Sequence, residues 1–203
     1  MTKATSASSF LKAAALPALL FSVGCAPLAI GAAGTAVGVG VAQERSLGDG
    51  FDDVGIRTRI RSGLTSAPQN FGNVDVNSVE ARVLLTGSVA TEDERRAAAK
   101  IAWEADGVAE VIDEIVVGKR TGPRQGGADT RIETSLRTRL IADSKIPNTN
   151  YIIVVSQGVV HLMGLAYDQP ELDRVTEHAR TVSGVKKVIS HVQFKSDPSR
   201  RLR

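Results

Sequence analysis

Cysteine occurs once in the 203 residues, at Cys25, so no disulfide can form within the chain. Aromatic residues make up only 4%, with a single Trp, so any core must be built mainly from Val, Ile, Leu and Ala. Histidine is also scarce, with three copies. His161 and His191 fall on predicted strands with no Cys or carboxylate at metal-ligand spacing, and His178 takes a semi-buried helix position suited to packing. Spacing therefore offers no metal site, and no cofactor is expected. No serine stands in a strand–turn–helix nucleophile context. Gly122 to Gly127 lacks the Lys-Ser/Thr of a phosphate-cradling loop. Glu92, Asp93 and Glu94 suit a helix cap rather than an acid–base pair. Nothing in the residues supports catalysis, and the chain is expected not to be an enzyme.

What the sequence does contain is one module twice. Val83-Leu84-Leu85-Thr86-Gly87-Ser88-Val89 returns as Val160-His161-Leu162-Met163-Gly164-Leu165-Ala166, and Gly107-Val108 returns as Gly184-Val185. Gly87 to Gly164 and Gly107 to Gly184 are both steps of 77 residues. A module of about 65 residues is near the lower limit for a self-sufficient core.

Each copy reads as helix, strand, strand, helix, strand. In the first, Ile56, Ile60 and Leu64 form one helical stripe, with Asp52 and Asp53 at its positive end. Val74, Val76 and Val83 to Val89 are strands joined near Glu80-Ala81. Thr91 to Glu94 is a capping box for a second helix, Gly107 is its expected C-cap, and Val108 to Val117 is the last strand. In the second copy Ile132, Leu136 and Leu140 form the stripe, and Tyr151 to Val155 and Val159 to Leu165 the hairpin. Asp168 caps the next helix, Gly184 ends it, and Val185 to Phe194 is the final strand.

The fold class expected is α+β: two tandem αββαβ modules, each a three-stranded mixed sheet packed against two helices. The divisions are a signal over 1–24, Cys25 with a Gly/Ala tether over 25–51, and a first module over 52–118. A linker over 119–128, a second module over 129–195 and a basic tail over 196–203 follow. The first module holds 7 Lys/Arg against 12 Asp/Glu, while residues 129–194 hold 8 against 7. Lys119, Arg120 and Arg124 in the linker, with Lys195, Arg200, Arg201 and Arg203 at the end, place positive charge beside the second copy. An anionic partner should prefer that side.

Residues 1–24 read as an export segment: Lys3 and Lys12 precede the uncharged, mostly apolar Ala13 to Val23, and Ser22-Val23-Gly24-Cys25 follows. That ending resembles the bacterial lipoprotein signal, in which the cysteine is acylated and becomes the mature N-terminus. Ser22 stands where Leu is usual, and Gly24 suits the peptidase. Two rivals stay open: ordinary signal cleavage that leaves a soluble protein, and a membrane-spanning helix over Ala13 to Gln43 with Gly34 and Gly38 as a packing pair. Ala26 after the cysteine, where Asp would indicate inner-membrane retention, favours the outer membrane.

Val83, Leu85, Gly87, Gly107, Val108 and Val111, repeated as Val160, Leu162, Gly164, Gly184, Val185 and Val188 behind Cys25, resemble the dual BON-domain lipoproteins of the Gram-negative envelope. The resemblance covers about residues 52–195. It implies a non-catalytic protein that binds anionic phospholipid and supports outer-membrane integrity, anchored at the outer membrane and facing the periplasm. It also implies that the second module's first helix faces lipid. On that helix Arg131, Thr134 and Thr138 point outward, and Arg137 and Arg139 flank the inward stripe. These five are the expected lipid-binding residues, although no large apolar anchor is evident beside them. Glu133–Arg137 pairing would instead make the arginines a solvated face. Trp103 replaces the second copy's Arg180, which suits half-buried packing or a contact with the other module or a partner. An envelope protein is a candidate partner. Nucleic acid is not, since an exported chain would not meet it and no aromatic–basic stacking face is evident. The alternative function is a soluble periplasmic stress-response or chaperone-like protein of the same module type.

Overall fold

The structure is a computed structural model that describes residues 47–118, 123–198 and 200. The expected signal, Cys25 and most of the tether lie outside the described residues.

The first copy contains α1 (Leu47–Ser66), β1 (Val74–Val79), β2 (Arg82–Val89), α2 (Glu92–Trp103), β3 (Glu110–Asp113) and β4 (Val116–Val117). The second contains α3 (Pro123–Ala142), a short 3-10 turn (Asn148–Asn150), β5 (Tyr151–Ser156), β6 (Val159–Ala166), α4 (Gln169–Arg180) and β7 (Lys187–Phe194). The two apolar stripes behave as expected: Ile56, Ile60 and Leu64, like Ile132, Leu136 and Leu140, are buried. The capping box forms, with Thr91 accepting from the Glu94 N–H and Glu94 accepting from the Ala90 N–H.

Both first helices begin earlier than expected. Elongation adds one hydrogen bond for each residue fixed, which carries α1 back through Gly50 and Gly48 to Leu47. In α3, Pro123 takes the first position, where its missing N–H forfeits no helical bond. Asp53 is consequently inside α1 rather than at its positive end. Its carboxylate, 2% exposed, accepts from Ser78 Oγ at 2.6 Å and from the N–H groups of Glu80 and Ala81 at 2.9 and 3.0 Å. Asp129 does the same for Gln157 and Gly158, both at 2.8 Å. One buried carboxylate thus fastens the first helix of each copy to its hairpin turn.

In each sheet the hairpin is antiparallel and the last strand runs parallel to the middle one. The expected strand Val108 to Val117 is broken at Glu114-Ile115. There Asp113 accepts from the Ile115 N–H at 3.1 Å and from Arg95 Nε at 2.9 Å, a local side-chain bond that competes with the ladder. Ser190, at that place in the second copy, accepts the equivalent bond from the Val192 N–H at a longer 3.4 Å, with no arginine donating to it among the described residues, and β7 runs unbroken.

Gly87 and Gly164 lie at φ +104° and +136°, where an added Cβ would sit 1.9 Å from the carbonyl oxygen of Asn73 or Asn150. Only glycine fits there. Gly107 and Gly184 are not the helix C-caps expected. Glu104 and Thr181 cap α2 and α4 in right-handed conformation, donating back to carbonyls of the last turn, and the glycines follow in the next turn.

Both helices of each copy pack on one face of its sheet. The opposite faces meet each other. Val79 and Leu84 bury against Met163, bordered by Ile112, Ile152 and Val154, and every residue of β2 is buried. The order of layers is helices, sheet, sheet, helices.

Candidate functional site

All five expected lipid-binding residues, Arg131, Thr134, Arg137, Thr138 and Arg139, are exposed on α3. Ile132, Leu136 and Leu140 supply the inward stripe that turns the other face to solvent. The arginines are not equivalent. Arg137 pairs with Glu133 at 2.9 Å, the expected i, i+4 bond. Arg139 Nη1 donates to Thr181 Oγ1 at 2.8 Å, tying α3 to the end of α4. Arg131 has no side-chain partner among the described residues. Thr138 donates to the Thr134 carbonyl at 2.9 Å, so its hydroxyl is partly engaged by its own helix.

An apolar anchor was not expected on this face, yet one is present. Ile141, 60% exposed, lies one turn beyond Arg137 and Thr138, and two beyond Thr134. A large apolar residue at the end of a helix is easily read as part of the core stripe; the stripe is in fact closed by Leu140 and continued past the turn by Ile146. The outward face therefore joins guanidinium groups, hydroxyls and one aliphatic side chain. Asp143, just after α3, accepts from His178 Nε2 at 2.9 Å and lies 3.5 Å from Arg174. The His178 hydrogen bond holds that carboxyl below the usual carboxylate range. His178 is thus a helix-to-helix bridge.

The inter-module contact is carried by the sheet faces. Trp103 is in none of the buried clusters and is 55% exposed at the end of α2, so it is not packed against the other module. Polar bonds join the modules too: Arg82 Nη1 donates to the His191 carbonyl at 2.8 Å while its Nε pairs with Glu110 at 2.7 Å. Arg200, in the basic tail, forms a two-pronged ion pair with Glu80 at 2.6 and 2.8 Å. Its charge is therefore taken up by the first module's hairpin instead of facing an anionic surface.

His161 and His191 stack nearly parallel, ring centroids 5.8 Å apart, on neighbouring strands of the sheet–sheet seam. Burial first, then the neighbouring His191 and Lys187, push His161 down to about 4; burial likewise lowers His191. Both imidazoles are neutral at neutral pH. The reading that no carboxylate accompanies them fails in three dimensions, because Glu114 reaches them from the other module. Spacing along one strand cannot reveal a group delivered by face-to-face packing of two sheets.

A family model described as "BON domain" matches residues 52–119 and 128–196, one match on each αββαβ unit. The chain belongs to the BON-domain family. Among BON relatives, an uncharacterized protein of Anaplasma centrale is 39% identical, over 74% of this chain and 100% of that one. The outer membrane lipoprotein DolP of Haemophilus influenzae is 30% identical, over 88% of this chain and 93% of its own length. Osmotically-inducible protein Y of Escherichia coli is 28% identical, over 73% of this chain and 76% of its own. Among the described residues, no helix is long and apolar enough to cross a membrane.

Proposed function

We propose that this BON protein is a non-catalytic envelope lipoprotein, tethered to the outer membrane by acylated Cys25, that adheres to anionic phospholipid through α3 and supports membrane integrity. The observation that carries this reading is the composition of the outward face of α3. Arg131 and Arg137 can meet phosphate, Thr134 can hydrogen-bond headgroup oxygens, and Ile141 can enter the interface. Each basic residue contributes about 1 kcal/mol near an anionic surface. Two arginines and one isoleucine therefore hold the free module only weakly, at roughly millimolar to sub-millimolar affinity.

Weak adhesion suffices if the chain is already held at the membrane, because tethering turns the second contact into an intramolecular one. Acyl chains at Cys25 would provide the tether, each buried methylene contributing about 0.8 kcal/mol. The similarity to an outer membrane lipoprotein along most of both chains supports this location. Trp103, exposed on the first module, is the surface we assign to an envelope protein partner.

Fatty-acid labelling of wild type and Cys25→Ala, followed by membrane fractionation, tests the tether. Acylated wild type in the outer membrane and soluble Cys25→Ala are expected. A wild-type chain that incorporates no acyl group would instead favour a soluble periplasmic stress-response protein; the name of one relative, osmotically-inducible protein Y, fits the stress-response part of that reading.

A further inference from the structure

At the seam between the two sheets, beside the Arg82–Glu110 ion pair, Glu114, His161 and His191 meet. His161, on β6, is 3% exposed, and its Nδ1 has no hydrogen-bond partner among the described residues. His191 Nε2, on β7, is likewise buried without a hydrogen bond and lies 3.4 Å from Glu114 Oε1. A buried ring nitrogen left unpaired is destabilising, and a group that satisfies both at once would remove that cost. We propose that Glu114, His161 and His191 bind a divalent transition-metal ion of the zinc class at the seam between the modules.

The ligand set fits. Two imidazole nitrogens and one carboxylate oxygen suit zinc and its neighbours, and do not suit calcium or magnesium. One donor atom from each residue lies within 4.8 Å of the other two. The Glu114–His191 separation of 3.4 Å matches a tetrahedral edge, about 3.3 Å for bonds of about 2.0–2.1 Å. Closing the other separations takes adjustment of Glu114, whose side chain is 29% exposed and sits in the interruption between β3 and β4, and rotation of the stacked imidazoles out of their parallel arrangement. The imidazoles, neutral by burial, need lose no proton before coordinating.

An ion has a way in. A pocket of about 280 Å³ is lined by Glu114, Val116, Gln157, His161 and Lys187. Gln157 Nε2 is buried without a hydrogen-bond partner, and a metal-bound water in the pocket could accept from it. Two cations also face the site. Arg82, beside His191, is matched by Glu110, whereas the Lys187 charge opposes an ion near His161. Affinity should therefore fall below that of a closed four-ligand site. Glu114 comes from the first module and both histidines from the second, so the ion would staple the modules together.

The test uses the full chain, purified in detergent without a polyhistidine tag and stripped with chelator, titrated with Co²⁺ and Zn²⁺. Saturable uptake of one equivalent is expected, with intense visible bands of low-coordinate Co²⁺, and Zn²⁺ should raise the thermal midpoint by about 5 °C at saturation. Glu114→Gln should weaken binding about tenfold or more, His161→Gln should abolish it, and His178→Gln should leave it unchanged. Circular dichroism of the metal-free variants checks the fold. If His161→Gln fails to fold, the partly exposed Glu114→Gln decides alone. No saturable uptake by wild type at millimolar metal, or wild-type affinity in Glu114→Gln, would overturn the proposal.

Discussion

Replacing Asp53 by Ala removes an acceptor on which three groups converge. The carboxylate binds Ser78 Oγ and the two N–H groups of the β1–β2 turn. That turn places Glu80 at φ 52° and Ala81 at φ 62°, the left-handed region, which costs a residue with a side chain roughly 1–2 kcal/mol. The carboxylate holds the turn there. A hydrogen bond to a charged group contributes about 1.5–3 kcal/mol, but the three share one acceptor, and water can reach the two partly buried N–H groups once it is gone. Asp53→Ala should therefore destabilise by about 3–5 kcal/mol. Asp53→Asn should cost roughly half as much, because one oxygen still accepts. Asp129→Ala should cost about 1 kcal/mol less than Asp53→Ala, since the second turn has Gly158 at φ 82° and carries less strain. Urea unfolding followed by far-UV circular dichroism measures all three. A loss below about 0.5 kcal/mol for Asp53→Ala, the size of an ordinary surface change, would refute the clamp.

Gly164→Ala should prevent native folding of the second module, since its Cβ would lie 1.9 Å from the Asn150 carbonyl oxygen; loss of the cooperative melt shows this. Leu84→Ala, at the seam, should cost about 2–5 kcal/mol by leaving a cavity against Met163, measured by thermal unfolding. In chelator, stability should fall on acidification. His161 titrates at about 4 when folded, below its ordinary 6.5, so the unfolded chain takes up the proton first. The stability of the neutral buried ring is present above 6.5 and is lost as pH falls through 4, at most about 3 kcal/mol. His161→Asn should flatten that part of the pH profile in urea titrations; an unchanged profile would place the titration elsewhere.

Much of the fold was legible because its signals are local. Glycines a fixed step apart, two apolar stripes at helical spacing and the Thr91 capping box each depend on a few neighbouring residues. The exposure of Arg131, Thr134 and Thr138 followed from the same stripe. What was not legible depends on contact across distance. The role of Asp53 needs a hairpin more than twenty residues away. The polarity of β2 gives no warning that both its faces are covered, yet Thr86 and Ser88 are as fully buried as its apolar residues. Glu114 and His191 hold equivalent places in the repeat, one step of 77 apart, but their meeting depends on how the modules face one another. Ile141 was hidden by ambiguity, because an apolar residue beside Leu140 fits either face until the packing decides.

The lipid-adhesion reading stands or falls on flotation of the chain from residue 26 onward with vesicles of neutral phosphatidylcholine alone or mixed with anionic phosphatidylglycerol. Recovery with the anionic vesicles, reduced by salt and by the double variant Arg131→Glu/Arg137→Glu, is expected, together with little recovery on neutral vesicles. Ile141→Ser should lower recovery without removing the salt dependence. Equal binding to neutral and anionic vesicles, or full binding by the charge-reversed variant, would contradict the assignment of α3 as the phospholipid-facing surface.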